Sequence, residues 1–191
     1  MIILKLDLLY KILLSDKPSK LIKENEKYFF EIIPEFEKSK GFNQNNPWHV
    51  YDVYEHILHV VDGVDNNITL RMVALFHDMG KPFVYFEDEN GVGHFPKHWI
   101  KSNEIFLRFA NKYNLDKDFT QKVSLLIIYH DLRIDLNDKE MIKIIKSLGK
   151  ENIELLYKIK KADLKAQSSN YHYLLNKYDE EQQTLKNNFL I

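Results

Sequence analysis

The chain has 191 residues, 45% of them hydrophobic, which is enough for one domain of ordinary size and too few for two full ones. Its 27 basic and 28 acidic side chains leave a net charge of −1, which excludes a field-driven nucleic-acid or anionic-membrane binder and confines any phosphate recognition to a local site. The absence of cysteine excludes disulfides, thiol nucleophiles, iron–sulfur clusters and thiolate zinc sites, so metal ligands must be His, Asp or Glu.

Five prolines and six glycines fall mostly between segments of helical period, which predicts an all-α chain. The apolar start MIILKLDLLYKILL is interrupted by Lys5, Asp7 and Lys11 and has neither a basic leader nor a small-residue cleavage site. It reads as an amphipathic helix of a soluble, cytoplasmic protein. Asp16-Lys-Pro-Ser stops that helix, and a second one starts at Ser19 or Lys20 and ends before Pro34. A short helix over 35–40 ends at Gly41, and the polar loop GFNQNNPWH follows, expected near the functional face. Val53, Ile57, Val60, Val61 and Val64 mark a helix over 51–64, and Thr69 caps the next, 70–79. Phe83 to Pro96 brackets the turn-rich EDENGVG and is the one segment suited to a small β-hairpin or an extended lid. Further helices are expected over 98–113, 118–130, 138–147 and 151–186, the last broken near Ser168-Ser169-Asn170. The longest later apolar stretch, Val123 to Tyr129, is far too short to cross a bilayer.

His56, His77, His98 and His130 lie in or beside apolar helical stretches. A neutral imidazole in an apolar wall needs a partner for its second nitrogen, and a divalent metal rewards several imidazoles at once. The sharpest signal is His77-Asp78 at a helix end, where free carbonyls add partial negative charge. An HD dipeptide alone is weak evidence, since His130-Asp131 is a second one. The pattern gains weight from its surroundings: PWHVYDVYEHILHVVD, LRMVALFHDMGKP, GVGHFPKHWIKSNEI, LIIYHDLRI and KKADLKAQ, preceded by LLSDKPSK and EIIPEFEKSKG.

These segments resemble, in order, the HD-domain metal-dependent phosphohydrolase superfamily, and in particular the HD domain attached to some bacterial tRNA nucleotidyltransferases. The likeness spans nearly the whole chain, while no nucleotidyltransferase signature is present, so a free-standing HD domain is expected. The resemblance implies a single helical HD bundle: a lead-in over 1–47, a metal-site core over 48–166 and a C-terminal helical segment over 167–191. It also implies that His56, His77, Asp78 and Asp163 hold one metal, and that Asp78 bridges to a second held by His98 and His130. Four neutral imidazoles and two carboxylates around two divalent ions leave a formal charge of about +2, suited to a phosphate ester. Asp78 and Lys81 are the candidate catalytic residues, with Lys81 stabilising charge on the phosphoryl oxygens or serving as a plain helix C-cap cation. His94 rivals His98 as a ligand.

Substrate contacts are expected from Lys81, Arg133 and His49, with Trp48 and Trp99 as stacking or packing residues. Asp52 and Glu55 orient a ligand imidazole or belong to a solvated helix face. All-N/O ligation suits Mn, Fe, Co, Ni or Zn about equally well, as one or two ions. The expected substrate is a nucleotide, a cyclic nucleotide or an RNA-terminal phosphate, with no membrane partner and no extended nucleic-acid footprint. An HD-type di-iron oxygenase would use the same ligands, and a non-catalytic nucleotide- or RNA-binding module is the third reading. Oligomeric state has no signature in the sequence.

Overall fold

The computed structural model describes residues 2–135 and 137–188, with side chains from Leu4 to Asn187. The expected C-terminal segment is thus described as far as 188. Helix α1 (Ile2–Leu13) leads into α2 (Pro18–Glu24), α3 (Glu26–Ile32) and α4 (Pro34–Glu37). The single helix expected before Pro34 is two, because Asn25 takes non-helical angles (φ −119, ψ 30) while its side-chain amide donates to Leu21 O at 2.8 Å. That local bond offers the chain an alternative to continuing the helix.

The centre is a pair of helices packed on each other, α5 (Val53–Gly63) and α6 (Ile68–Phe76), capped by the side chains of Asp52 and Asn67. Asn67, not Thr69, is the cap: its Oδ1 accepts from Leu70 N at 3.1 Å, and Thr69 lies already inside the first turn. Every residue of α6 from Leu70 to Phe76 is buried, which is why this stretch shows no polar face. Helix α6 stops at Phe76, a tight turn covers 77–80, and the short α7 (Lys81–Val84), with Pro82 in its first turn, follows. Pro82 lacks the N–H that a helix start leaves idle, so it favours this unexpected turn of helix.

The expected hairpin is present as β1 (Phe86–Glu87) and β2 (Gly93–His94), antiparallel with Phe86 opposite His94. Gly93 N donates to Asn45 O at 2.7 Å, and a Cβ on Gly93 would lie 2.2 Å from Gln44 O. The hairpin is therefore pressed against the polar loop over 42–50.

Helices α8 (His98–Lys112) and α9 (Lys117–Tyr129) pack on each other and on α6. Helix α10 (Lys139–Lys165) carries a break at Gly149 (φ 74, ψ 164), where the sequence suggested a longer gap. Its second half lies against α5 and α6. As the sequence suggested, the chain breaks near 168–170, in a 3-10 turn (Ser169–Tyr171) before α11 (Leu174–Asn188), which packs on α10. One continuous core runs from Leu9 of α1 to Leu185 of α11, with α1 and α2 covering the outer faces of α6 and α5. The architecture is an all-α bundle whose only sheet, among the described residues, is that two-stranded hairpin.

Candidate metal centre

Five helices each bring one side chain or pair to a common point. His56 projects from the middle of α5, His77 and Asp78 follow the end of α6, His98 opens α8, His130 ends α9, and Asp163 lies on α10. All except Asp163 are buried; Asp163 is 23% exposed and lines a cavity of about 690 Å³ beside the cluster.

Each imidazole is anchored through Nδ1. His77 bonds Ala74 O at 2.8 Å, His98 bonds Phe95 O at 3.0 Å and His130 bonds Ile127 O at 2.7 Å, each to the carbonyl three residues back. His56 Nδ1 faces Ala166 O at 3.4 Å. A carbonyl can only accept, so Nδ1 carries the proton of each neutral imidazole, which leaves the lone pair of Nε2 aimed inward for an ion or a proton.

The two oxygens of Asp78 divide these lone pairs. Oδ2 lies 3.2 Å from His56 Nε2 and 3.3 Å from His77 Nε2, and Oδ1 lies 3.2 Å from His98 Nε2 and 3.7 Å from His130 Nε2. Asp163 Oδ1 closes the first group, 2.8 Å from His56 Nε2 and 3.7 Å from His77 Nε2. Though these distances suit ion pairs, neither His56 Nε2 nor His77 Nε2 has a hydrogen-bond partner in line. His98 Nε2 and His130 Nε2 face each other at 3.2 Å, lone pair against lone pair when both are neutral. Orphaned buried nitrogens and opposed lone pairs are the pattern a cation relieves. Two groups meet the donor requirement: His56, His77, Asp78 and Asp163, and Asp78, His98 and His130.

Without an ion the cluster shares protons. Burial works against a charge on His77, but Asp78 and Asp163 outweigh it and push its pKa up to about 10. Burial likewise opposes a charged His56, and Asp163 and Asp78 raise it. Burial pushes His130 down. Burial also disfavours the charge of Asp78 and Asp163, yet the surrounding cations and imidazoles hold both well below the usual carboxylate range. These carboxylates stay ionised, as ligands must.

Lys81 is buried at the start of α7, and its ammonium meets three partners: Asp78 Oδ2 at 2.7 Å, Gln44 Oε1 at 2.8 Å and His49 Nε2 at 3.2 Å. Three donors thus have three acceptors. It opens a short helix and does not cap the end of α6. His49 also pairs Nδ1 with Asn46 Oδ1 at 2.7 Å, and burial followed by the Lys81 charge pushes its pKa down to about 2. It is neutral and takes the Lys81 proton at Nε2.

Arg133 is exposed on the cavity wall, three residues past His130. His94 is not in the cluster; its Nε2 pairs with Asp88 Oδ2 at 2.8 Å in the hairpin. Asp52 is used as a cap and as an acceptor for Gly41 N, and Glu55 pairs with Lys23, so neither orients His56. Trp48 is half-exposed at the cavity against Tyr171, while Trp99 packs edge-on to His98.

Sequence reasoning missed Gln44, 1% exposed, and Lys160, 7% exposed, which lines the cavity. Gln44 had no signal, since its partner is 37 residues away. Lys160 had one, being three residues before Asp163 and so on the same helical face.

The sequence profile of the HD domain matches residues 48–166, more than half of the chain, and the chain belongs to the HD-domain family of metal-dependent phosphohydrolases. HD domains bind divalent metals, and the two His/Asp groups are where this chain could hold them. No curated protein matches the chain significantly. Among the described residues no helix is long and apolar enough to cross a membrane.

Proposed function

We propose that this chain hydrolyses a phosphate ester of a nucleotide, a cyclic nucleotide or an RNA end, using one or two divalent transition ions. His56, His77, Asp78 and Asp163 would hold one ion, and Asp78, His98 and His130 a second, drawn from Mn, Fe, Co, Ni and Zn. The observation that carries this reading is the division of Asp78: two inward Nε2 atoms lie at each of its oxygens. Bound ions of this kind supply charge for phosphoryl oxygens and lower the pKa of water toward ~7, making it a nucleophile at neutral pH.

The chain's own residues do the rest. Asp78, ionised and fixed by Lys81, is the shared anion of both groups. Lys81 adds a buried positive charge beside the ligands. The contact it gives up most easily to a phosphoryl oxygen is His49, the longest of its three at 3.2 Å. His49 holds that ammonium in place and, being neutral, adds no charge of its own. Arg133, at the rim, offers a fork of donors to a phosphate. Trp48, half-exposed beside Tyr171 and tilted 43° to its ring, offers a ring face on which a base can stack. A cavity of about 690 Å³ fits a nucleotide-sized ligand.

The test is hydrolysis of mono- and bis-nitrophenyl phosphates, 2′,3′- and 3′,5′-cyclic nucleotides and nucleoside monophosphates, each with added Mn, Co, Ni or Mg. Metal-dependent turnover is expected, falling by at least about 1,000-fold in Asp78→Ala, which removes an anion common to both groups. Folded, metal-loaded protein without turnover on any of these esters would overturn the reading; oxygen uptake by an iron-loaded sample would then favour oxygenase chemistry.

A further inference from the structure

Lys160 is a buried cation that the cluster does not use. It sits on α10 three residues before Asp163, on the same face and about 4.5 Å away along the axis. Its ammonium donates to Leu132 O at 2.7 Å and lies 5.2 Å from the centre of the Tyr178 ring. One carbonyl and one ring leave part of the ammonium without an acceptor. Asp131, Asp163 and Glu181 act on it only from a distance, and among the described residues none forms an ion pair with it. Glu181 is itself engaged by Tyr157 Oη at 3.2 Å and Lys177 at 3.7 Å.

Burying a lysine without a counter-anion is costly, and burial pushes the Lys160 pKa below its ordinary value. Lys160, Arg133 and Lys177 line the same cavity as the metal-ligand cluster, as do the carboxylates Asp131 and Glu181. Tyr178, which seats the ammonium, lies on α11, outside the matched residues 48–166.

We propose that Lys160, seated by Leu132 O and Tyr178 and assisted by Arg133, binds a second phosphate group, so that the substrate carries two phosphates about one helical turn apart. This rests on the phosphohydrolase reading: one phosphate occupies the metal-ligand cluster and the other, which does not react, pairs with Lys160. The second phosphate supplies the anion Lys160 lacks, and its charge sets the orientation of the molecule along the cavity.

The test titrates adenosine 3′,5′-bisphosphate, adenosine 3′-monophosphate and 5′-AMP into manganese-loaded protein by calorimetry, with product assayed after each run so that any heat of hydrolysis is separated from binding. The bisphosphate is expected to bind at least about tenfold tighter than either monophosphate, the order of one charge-assisted hydrogen bond. Lys160→Met, close in shape and without charge, removes that preference, and Lys160→Arg keeps most of it. Equal affinities in the unaltered protein, which need no variant, overturn the proposal. A folded Lys160→Met that weakens all three ligands alike does the same. Turnover without the preference removes the second phosphate position alone, whereas the preference without turnover removes the hydrolase reading alone.

Discussion

The chain contains the dipeptide His-Asp twice, and the two copies end differently. His77 and His130 each follow the last residue of a helix, each in αR geometry, and each bonds the carbonyl three residues back through Nδ1. Their aspartates part company: Asp78 is buried between both groups of imidazoles, and Asp131 is exposed. The difference lies three residues past the histidine, at Gly80 in one copy and Arg133 in the other. Gly80 N donates to Ser102 Oγ at 2.8 Å, and a Cβ there would stand 2.3 Å from His98 O and 2.6 Å from Ser102 N. Its φ of −75 is open to any residue, so the glycine is present for space. Only a residue without a side chain lets the turn press against α8, and that pressing carries Asp78 inward beside His98. After His130 an arginine occupies the position, and Asp131 is left exposed on the cavity wall.

The largest way to break this contrast without touching a ligand is Gly80→Ala. The new methyl meets backbone atoms of α8, which can yield only if the helix and the turn separate. A loss of about 3 kcal/mol in unfolding free energy is expected, with metal content reduced in the fraction that folds. Thermal melts and metal analysis check this. A stable Gly80→Ala with full metal content would show that the close approach of turn and helix is not what places Asp78.

The same contrast measures how far the sequence could be read. The helices were legible because apolar residues recur at helical spacing, whereas the set His56, His77, Asp78, His98, His130 and Asp163 was legible only through the resemblance to HD domains, since helical spacing does not say that five helices meet at one point. The exposure of Asp131 was not legible in the dipeptide, because it depends on whether a neighbouring helix can approach. The spacing of Lys160 from Asp163 placed it on the ligand face, but its burial was not legible, because it comes from α11, whose Tyr178 lies 18 residues further on. Gln44 is a loop residue that acquires its role only when the chain brings Lys81 beside it. A local signal, by contrast, failed at Thr69, which lies inside the first turn of α6, while Asn67 takes the cap by accepting from Leu70 N.

A smaller effect separates the two histidines by their protons. In chelated protein His77, facing Asp78 and Asp163, holds its proton up to about pH 10, while an unfolded histidine releases it near 6.5. Between those values the folded state binds more protons than the unfolded one, so this contribution to stability is whole below pH 6.5 and is lost as pH rises toward 10. The carboxylates Asp78 and Asp163 act in the opposite direction and only in acid, their contribution being lost as pH falls below 3.8. His130, pushed down by burial, has no such proton to lose. The melting temperature of chelated protein is expected to decline from pH 6.5 to 9.5. Metal binding at pH 7.5 should release protons, read as a dependence of the calorimetric heat on buffer ionisation. A chelated melting temperature that stays level or climbs over that range would contradict the assignment of the proton to His77.

The smallest effect is expected at Asp131. It is exposed, and among the described residues it forms no ion pair, so Asp131→Asn should leave stability within ~0.5 kcal/mol and metal content unchanged. The result matters because the alternative is chemically reasonable: a carboxylate next to His130 could swing inward and complete the second group, which counts one carboxylate against the first group's two. That movement would require the chain at Leu132 to turn, and Leu132 O is already held by Lys160 at 2.7 Å while Leu132 N is bonded to Tyr129 O at 2.9 Å. Both backbone polar groups of the pivot residue are therefore committed to the outward course. Loss of metal in Asp131→Asn would mean that those bonds give way when ions bind, and the two dipeptides would then be equivalent in the loaded protein.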